Sequence, residues 1–492
     1  MYRYLSKSMG LVFLLTAIAC ERAVTFSEVI PPVSEITEIL HTSNSSYITL
    51  DQAKEVADIF IGAKDAVPLT RVTQSNTPEE ASVQSISKDG EPLMYVVNYD
   101  DGGFVITSAT RDYLPILAYS ETGRFDVSLI QGGLALWVDE TMAAVEASKE
   151  KADSVKLSMN RLWSLYEPTA QNEVLTTESS RNMTYTPAEI ACFERCDELF
   201  LQYGGNGWNF LPLSLAEQVF DDAGLSYYYD NLCYSAQFNN SGISSSVVGW
   251  KEGSFTESYG PMLTTQWHQG TPYNDLCYGH PAGCGVIALA QVMKHHAFPQ
   301  NFVYNNTEYF DWTTIPDNPT STSNHSKLIK YVYDMTSTNY LPLFDVSWTT
   351  PGAMEDAITA MGFNVTRQDD DPQDVEYEVL RNHRPVIMLG HDSNSTNLPG
   401  DAEYVGNSHY WVVDGVQSVD TDVFMVFAEW QPNDSGQFTQ SHYSIDNPDV
   451  ISGISYLYYH YNMGWGGIND GWYGFNYDYP YLRQNFLISR IF

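Results

Sequence analysis

Three separated stretches of the chain contain residue types that can carry out nucleophilic catalysis. The first surrounds Cys284, which follows Pro281 and Gly283 and precedes a run that is helical and apolar on nearly every face. Such a helix is buried, and its first residue lies beside unpaired main-chain N–H groups and the positive end of the helix dipole. Both features stabilise a thiolate, and the same N–H groups can donate to an oxyanion. We therefore predict that Cys284 is a nucleophile, the alternative being a small buried hydrophobic residue.

A nucleophilic thiolate needs a base that is distant in sequence but close in space. His409 is the candidate, because a polar, Gly-containing turn precedes it and a strand-like run follows it. Asn462 is the candidate for a third residue that orients the imidazole. It lies on a later strand-like segment, and the glycines that follow it allow close approach of the main chain.

The elements that must position these residues are read from periodicity and turn signals. The first part of the chain predicts a compact α+β module, and a polar Ser/Thr-rich linker follows it at 165–185. The module's predicted elements are a helix at 47–64, a hairpin of strands 92–99 and 104–108, a strand at 115–119 and helix over 133–161. Residues 187–203 predict another helix, and residues 204–260 give few signals.

The charge of the chain excludes several kinds of partner. The 492 residues include 61 Asp or Glu and 24 Lys or Arg, a net charge of −37. Binding a nucleic acid requires basic groups that release its counterions, so nucleic acid is not expected as a partner. Electrostatic docking on an anionic membrane is not expected either. A hydrophobic content of 43% is too high for a disordered acidic tail.

The N-terminus predicts export. Arg3 and Lys7 precede an apolar run from Gly10 to Ala19, which is too short to span a bilayer and is typical of a secretory signal. Cys20 follows Ala-Ile-Ala, which is similar to a bacterial lipobox, so we expect cleavage before Cys20 and lipidation of its thiol. The alternative is an ordinary signal peptide with Cys20 incidental. Without the leader the chain carries 22 basic residues against 61 acidic ones, a net charge of −39.

The ordered motifs resemble the streptopain family of papain-like bacterial cysteine peptidases. The matching segments are Gln266–Asn274, Gly283–Pro299, His409–Gly415 and Asn462–Gly467. The N-terminal module is similar to that family's inhibitory propeptide over Tyr95–Tyr99, Gly102–Ala109 and Pro115–Ser120. The resemblance covers roughly 45–150 and 255–480, and it leaves a segment with three cysteines unmatched, which we interpret as an insertion.

The resemblance implies an α+β fold, with a compact α+β propeptide domain ahead of a papain-like cysteine peptidase domain. It implies Cys284 as nucleophile, His409 as general base and then acid, Gln269 as side-chain donor to the oxyanion, and Asn462 as the residue that orients His409. The expected organisation is a signal peptide at 1–19, a lipid-anchored tether at 20–44, the inhibitory propeptide at 45–165, a linker and Cys-containing insertion at 166–254, and the catalytic domain at 255–492.

The function so implied is that of a zymogen of a secreted or lipid-anchored cysteine endopeptidase, at the outer membrane or cell surface of a bacterium or released from it. Its expected partners are protein or peptide substrates, its own propeptide as an intramolecular inhibitor, and a membrane only through a lipid on Cys20. No cofactor and no metal are expected, although Cys277, His280 and Cys284 have a spacing compatible with zinc.

Two features keep other interpretations open. Met463 stands where the family usually has a Trp after the Asn, and the insertion is unmatched, so a surface binding protein on an inactive peptidase scaffold is an alternative. A transglutaminase- or amidase-like acyl transferase could use the same Cys–His pair. Within the insertion, either Cys192 or Cys196 is a candidate for a disulfide with Cys233, because export permits disulfides.

Overall fold

The structure is a computed structural model, and it describes the larger part of the chain. The described residues are 25–27, 46–64, 81–130, 132–151, 153–164, 166, 186–204, 208–222, 225–238, 241–305, 307–342, 345–391, 408–431, 438–440, 444–451, 454–475 and 483–490. The predicted signal peptide, Cys20 and most of the predicted linker lie outside them. Within these residues no helix combines the length and the apolar character that a membrane crossing requires.

The described residues form both helices and strands. The α-helices are α1 (Leu50–Lys64), α2 (Gly132–Ser148), α3 (Asp153–Ser164), α4 (Pro187–Tyr203), α5 (Glu217–Asp222), α6 (Ser226–Phe238), α7 (Cys284–His296), α8 (His325–Met335), α9 (Pro351–Ala360) and α10 (Pro372–Leu380). The strands are β1 (Thr25–Ser27), β2 (Ala81–Lys88), β3 (Glu91–Tyr99), β4 (Phe104–Ser108), β5 (Ile116–Ser120), β6 (Asn209–Pro212), β7 (Ser246–Tyr259), β8 (Asn301–Tyr304), β9 (Glu308–Asp311), β10 (Asn339–Leu341), β11 (Val346–Trp348), β12 (Phe363–Asp369), β13 (Val386–His391), β14 (Ser408–Trp430), β15 (Thr439–Gln440), β16 (Asp449–Ile451), β17 (Ile454–Asn462), β18 (Gly471–Gly474) and β19 (Arg483–Arg490).

The predicted elements of the first 165 residues are confirmed. The helix predicted at 47–64 is α1, and the hairpin predicted around the turn at 100–103 is the antiparallel pair β3–β4. The helical stretch predicted over 133–161 is divided into α2 and α3. We refer to the described part of residues 46–166 as the N-terminal module.

One sheet runs through both the N-terminal module and the remainder of the chain. Its strand order is β12-β19-β13-β14-β17-β18-β5-β4-β3-β2, and the junction is the antiparallel pair β18–β5. At this junction Trp472 lies opposite Tyr119, and Tyr473 lies opposite Ala118. Beyond the ladder, the Tyr458 hydroxyl donates to the Ile116 carbonyl at 2.7 Å. The N-terminal module is thus joined to the rest of the chain by main-chain hydrogen bonds and not by side-chain packing alone.

The start of β14 separates two apolar cores. Successive side chains of a strand point to opposite faces. Tyr410 and Val412 lie on one face and belong to the core around α7. Trp411 and Val413 lie on the other face, in a core whose members come from both the N-terminal module and the later strands. His409 is two residues before Trp411 and therefore lies on the same face of the sheet, which the N-terminal module covers.

The segment interpreted as an insertion extends the same sheet. Strand β7 pairs with β14 over most of its length and with β6, and the predicted domain boundary at 254/255 falls inside β7. The helix predicted at 187–203 is confirmed as α4.

The disulfide considered for the insertion is not present. All five cysteines of the described residues are free thiols. Cys192 and Cys196 lie in one apolar cluster and Cys233 packs against another, so packing keeps the candidate partners apart.

Candidate active site

Cys284 is the first residue of α7, as predicted. Gly283 caps the helix with φ of +93°, a conformation that residues with a side chain rarely adopt, and an added Cβ would lie 3.2 Å from the Ser347 carbonyl oxygen. Behind Cys284 the helix is buried from Gly285 to Met293. The thiol sulfur accepts a hydrogen bond from the main-chain N–H of Tyr410 at 3.4 Å. Because Tyr410 follows His409 directly, the fold brings the two catalytic candidates to neighbouring positions.

The thiol of Cys284 is protonated in this arrangement. Burial raises its pKa, and the main-chain N–H groups of Tyr410, Gly285 and Cys284 itself lower the pKa without cancelling the effect of burial. The helix terminus therefore acts in the predicted direction. In the covered site, however, it does not produce the thiolate expected from the sequence.

His409 lies at the second position of β14 and is only 5% exposed. Its Nε2 atom is 3.0 Å from the main-chain carbonyl oxygen of Met463. A carbonyl oxygen can only accept, so Nε2 carries the hydrogen, and in the neutral ring Nδ1 is left as the basic nitrogen. Burial lowers the pKa of His409 to about 4, although the Met463 carbonyl acts in the opposite direction. Cys284 and His409 are therefore both uncharged near neutral pH.

Asn462 acts on this site indirectly. Its amide nitrogen donates to the Thr265 carbonyl at 2.8 Å, and its amide oxygen accepts from the Gln291 side chain at 2.9 Å and from the Gly464 main-chain N–H at 3.2 Å. The side chain thus ties α7 to the turn after β17, whereas the atom that orients the imidazole belongs to the next residue, Met463. The resemblance implies that the Asn462 amide itself orients His409, whereas the hydrogen bonds of this amide go to Thr265, Gln291 and Gly464.

A buried carboxylate supports the Met463 peptide from the other side. Asp470 Oδ1 accepts the main-chain N–H of Met463 at 2.7 Å. Burial raises the pKa of Asp470 to about 7, with the Met463 N–H and His460 acting in the opposite direction. His460 in turn lies 2.6 Å from Asp414, measured from Nδ1 to Oδ1. One peptide group therefore connects the candidate base to a buried cluster of titratable side chains.

The loop that contains Gln269 lies against the same turn. The Gln269 carbonyl accepts the Ala282 main-chain N–H at 2.9 Å, which fixes the loop beside the residues just before Cys284. The adjacent His268 forms a β-bridge with Trp465. The Trp465 ring lies 4.8 Å from the His409 ring between centroids, tilted by 38°. An aromatic face is thus provided two residues after Met463, whose own side chain is buried in the apolar core.

Three contributors to the site were missed from the sequence. Gln291 had a usable signal, because it is the polar residue on an otherwise apolar buried helix, and it donates to Asn462. Asp470 follows a glycine-rich turn and gives no such signal. The Met463 carbonyl belongs to the main chain, so no residue type could have revealed it.

The residues with the zinc-compatible spacing lie in different surroundings. The His280 ring stacks on Tyr340 with centroids 3.5 Å apart, and Cys277 is buried in the apolar core. Across the residues that the structure describes, no group of three or more His, Cys, Asp or Glu side chains is arranged to bind a metal ion.

Comparisons with known proteins found two family models and two solved structures that are similar to parts of this chain. Residues 267–473 match the model of the peptidase C10 family, and residues 45–145 match that of the Spi protease inhibitor. No curated protein matches the chain. Among solved structures, a mutant fragment of Prevotella intermedia prointerpain A is 14% identical, covering 84% of this chain and 99% of that one with a TM-score of 0.38. Active wild-type interpain A cysteine protease of the same organism is 17% identical, covering 46% and 94% with a TM-score of 0.30.

The burial of His409 in the full-length chain predicts that its imidazole titrates at an unusually low pH. In the full-length chain the His409 imidazole should stay neutral down to a pH of about 4, and histidine NMR should detect this. The folded-state pKa is lower than the ordinary 6.5, so the neutral ring stabilises the fold above pH 6.5. That stabilisation, up to about 3 kcal/mol, is lost as the pH falls from 6.5 to about 4. Alkylation of Cys284 by iodoacetamide should be slow at pH 7.

The same two measurements on the chain unfolded in urea are the control. There His409 should titrate near 6.5 and Cys284 should react at the rate of an ordinary thiol. A full-length folded chain in which His409 titrates at or above 6.5, or in which Cys284 reacts as fast as in urea, contradicts the prediction.

Proposed function

We propose that this chain, with a catalytic domain of the peptidase C10 family behind a Spi protease inhibitor domain, is the zymogen of a cysteine endopeptidase. In this proposal Cys284 is the nucleophile and His409 is the base. The observation that carries the assignment is the contact between β14 and α7. There the main chain just after His409 binds the Cys284 sulfur, and Met463 holds the imidazole with Nδ1 free.

The proposed reaction proceeds through an acyl-enzyme. His409 Nδ1 takes the thiol proton, and the Cys284 sulfur forms a bond to the carbonyl carbon of the substrate. The oxyanion accepts hydrogen bonds from the Cys284 main-chain N–H and the Gln269 side chain. The C–N bond then breaks as His409 gives its proton to the leaving amine. Water, deprotonated by His409, finally attacks the thioester, releasing the acid and the thiol.

The surroundings of His409 support activity over the inactive-scaffold alternative. The function expected of an aromatic residue at position 463 is to shield the imidazole, and Trp465 lies against that ring. What position 463 contributes is its main chain, which the Asp470 carboxylate and the His409 ring bind at its two ends. A Met side chain that fills the apolar core leaves this main-chain role unchanged.

The N-terminal module acts as the intramolecular inhibitor in this proposal. It covers the face of β14 that presents His409, and burial there keeps the imidazole uncharged. Cys284 packs against the core around α7, where burial keeps its thiol uncharged as well. Removing the module returns water to the site, which weakens the desolvation that opposes both charges. A thiolate–imidazolium pair then becomes favourable, since each charge stabilises the other.

Export and anchoring are part of the proposal. The basic and apolar leader supports secretion, and Cys20 after Ala-Ile-Ala supports a lipid anchor at the outer membrane or cell surface. Expression in a bacterial host with radiolabelled palmitate should label the wild-type chain and leave a Cys20→Ala variant unlabelled. Equal labelling of both would rule out the anchor.

Replacing the nucleophile should abolish peptide hydrolysis. We expect processed Cys284→Ala protein to lose activity on peptides by a factor on the order of 10³ or more, because the reacting atom is removed. An epoxide thiol inhibitor should modify Cys284 of the wild type after the N-terminal module is removed, and mass spectrometry locates the adduct. Cys233→Ala, which removes a half-buried thiol of the insertion, is the matched control and should keep full activity.

Undiminished hydrolysis by Cys284→Ala protein would overturn the proposal. Processed wild type that neither cleaves peptides nor takes up the inhibitor at Cys284 would favour the inactive scaffold. Transfer of the acyl group to added amines in preference to water would favour the acyl transferase.

Asp470 should act on catalysis through the Met463 peptide. Asp470→Ala removes a buried acceptor, a loss of about 1–3 kcal/mol, which corresponds to roughly a 5- to 150-fold fall in kcat if it is expressed in the orientation of His409. KM should change little, because Asp470 lies behind the peptide group and not in contact with substrate. Asp470→Asn keeps an acceptor oxygen and should restore most of kcat. Equal kcat in both variants, with only thermal stability reduced, would show a purely structural role.

A further inference from the structure

Three strands align His409 with a buried arginine. In the antiparallel ladders Gly390 of β13 lies opposite His409 of β14 on one side and opposite Arg483 of β19 on the other. Residues in one cross-strand row project from the same face of a sheet. With two strand spacings between them, the His409 and Arg483 main chains are about 10 Å apart. The residue between them is a glycine, so the row itself leaves room above the sheet.

The Trp411 ring of β14 and helix α2 of the N-terminal module together fill that room. A Cβ added at Gly390 would lie 2.7 Å from the Trp411 ring and 3.2 Å from a methyl carbon of Leu136. One helical turn after Leu136, the carboxylate of Glu140 pairs with the Arg483 guanidinium. Leu136 and Glu140 are four residues apart and therefore lie on one side of the helix. The module thus places an apolar side chain and then an acidic one along the line that leads from His409 to Arg483.

The ion pair at the end of this line is deeply buried. The side chains of Arg483 and Glu140 are 2% and 1% exposed. Arg483 has a second, longer contact, with Asp370 at 3.5 Å, but the other oxygen of Asp370 accepts from the Asn485 amide at 2.8 Å. Loss of Glu140 leaves the Nη2 end of the guanidinium open.

Other polar hydrogens in this region also lack partners. The Nε atom of Arg483 and the indole nitrogen of Trp411 are buried without a hydrogen-bond partner among the described residues. A guanidinium stays charged at any physiological pH and presents its donors as a rigid fork that fits a carboxylate. The space that α2 vacates is therefore lined by Trp411 and Gly390 near His409 and by unsatisfied cationic donors at its far end.

We propose that, once the N-terminal module has left, the space now filled by Leu136 and Glu140 is a substrate side-chain pocket that selects an acidic residue, with Arg483 as the residue that determines this specificity. The inference rests on the proposed function. A glutamate-like side chain of the substrate takes the position of Glu140, with its methylene groups against Trp411. A basic side chain is rejected, because it would meet Arg483 at the closed end of the pocket.

Matched peptide substrates test the pocket. Fluorogenic peptides that carry Glu, Gln or Lys at each position flanking the scissile bond are given to processed wild-type enzyme, and kcat/KM is measured. We expect one position at which Glu exceeds Gln by about tenfold or more, and at which Lys is the poorest, because a charge-assisted bidentate pair replaces a neutral contact. Equal rates for Glu and Gln at every position overturn the inference, and this comparison needs no variant that has to fold.

Variants assign the preference to Arg483. Arg483→Met together with Glu140→Gln removes both buried charges at once, and it should abolish the preference for Glu over Gln. Arg483→Lys keeps a charge without the fork and should retain a reduced preference. Arg367→Met removes a partly exposed arginine paired with Glu355 and should leave the preference intact. In the processed enzyme, from which Glu140 has left with the module, it changes the net charge as much as Arg483→Met does. A preference that survives in the Arg483→Met background overturns the assignment.

A binding measurement separates this inference from the proposed function. The same peptides, fluorescently labelled, are titrated into Cys284→Ala protein processed in trans, and polarisation gives their affinities. If the wild type cleaves none of the peptides, the proposed function fails, and a Glu-over-Gln ratio in binding of about tenfold still supports the pocket. A ratio near one overturns the pocket whether or not hydrolysis occurs.

Discussion

The alternation of side chains at the start of β14 is the constraint on which the site depends. Tyr410 points toward α7, and its main-chain N–H reaches the sulfur at the first turn of that helix. His409, one residue earlier, points to the opposite face. A one-residue slip in register would exchange the two faces and remove the imidazole from the site. The register is fixed by apolar cores on both sides, and nearly half of the second core comes from the N-terminal module.

His409 lies on the same face of β14 that the N-terminal module covers. The presence or absence of the module on that face therefore affects the pKa of the proposed base. With the N-terminal module in place, desolvation outweighs the helix terminus at Cys284 and lowers the pKa of His409 to about 4. Inhibition by this module is therefore more than steric. It also disfavours the charged thiolate–imidazolium pair that the proposed reaction uses, without altering the residues themselves.

The sequence predicted those parts of the site that depend on residue type and local pattern. Cys284 at a helix start and His409 at a strand start follow from a break before an apolar helix and a turn before a strand. The hairpin β3–β4 and helix α4 follow from equally local signals. The support of His409 by a main-chain carbonyl could not be predicted in this way, because every residue has one. The pairing of β5 with β18 joins segments about 350 positions apart, and the sequence of neither strand indicates which strand it pairs with.

The insertion is a second example of structure that local sequence signals do not predict. Strand β7 contains Gly249, Lys251 and Gly253 among its fourteen residues and lacks a clean alternation, yet β14 provides a long ladder that overrides the weak local preference. The unpaired cysteines also depend on tertiary packing, since spacing alone allowed a bridge to Cys233 that the two separate clusters do not permit.

The way the N-terminal module is held also constrains how the enzyme is released. Its attachment includes a strand ladder at β5–β18, a shared apolar core and a buried ion pair between Glu140 and Arg483. These contacts do not depend on the covalent link through the linker, so cutting the linker leaves them all in place. A hinge motion that freed His409 would also have to break the ladder, since α2 and β5 pack in the same core. Release therefore requires the module to dissociate as a unit or to be degraded, and either event exposes the edge of β18 and the Arg483 pocket together. In the proposed enzyme, uncovering Cys284 and His409 and opening the Arg483 pocket are consequently one event.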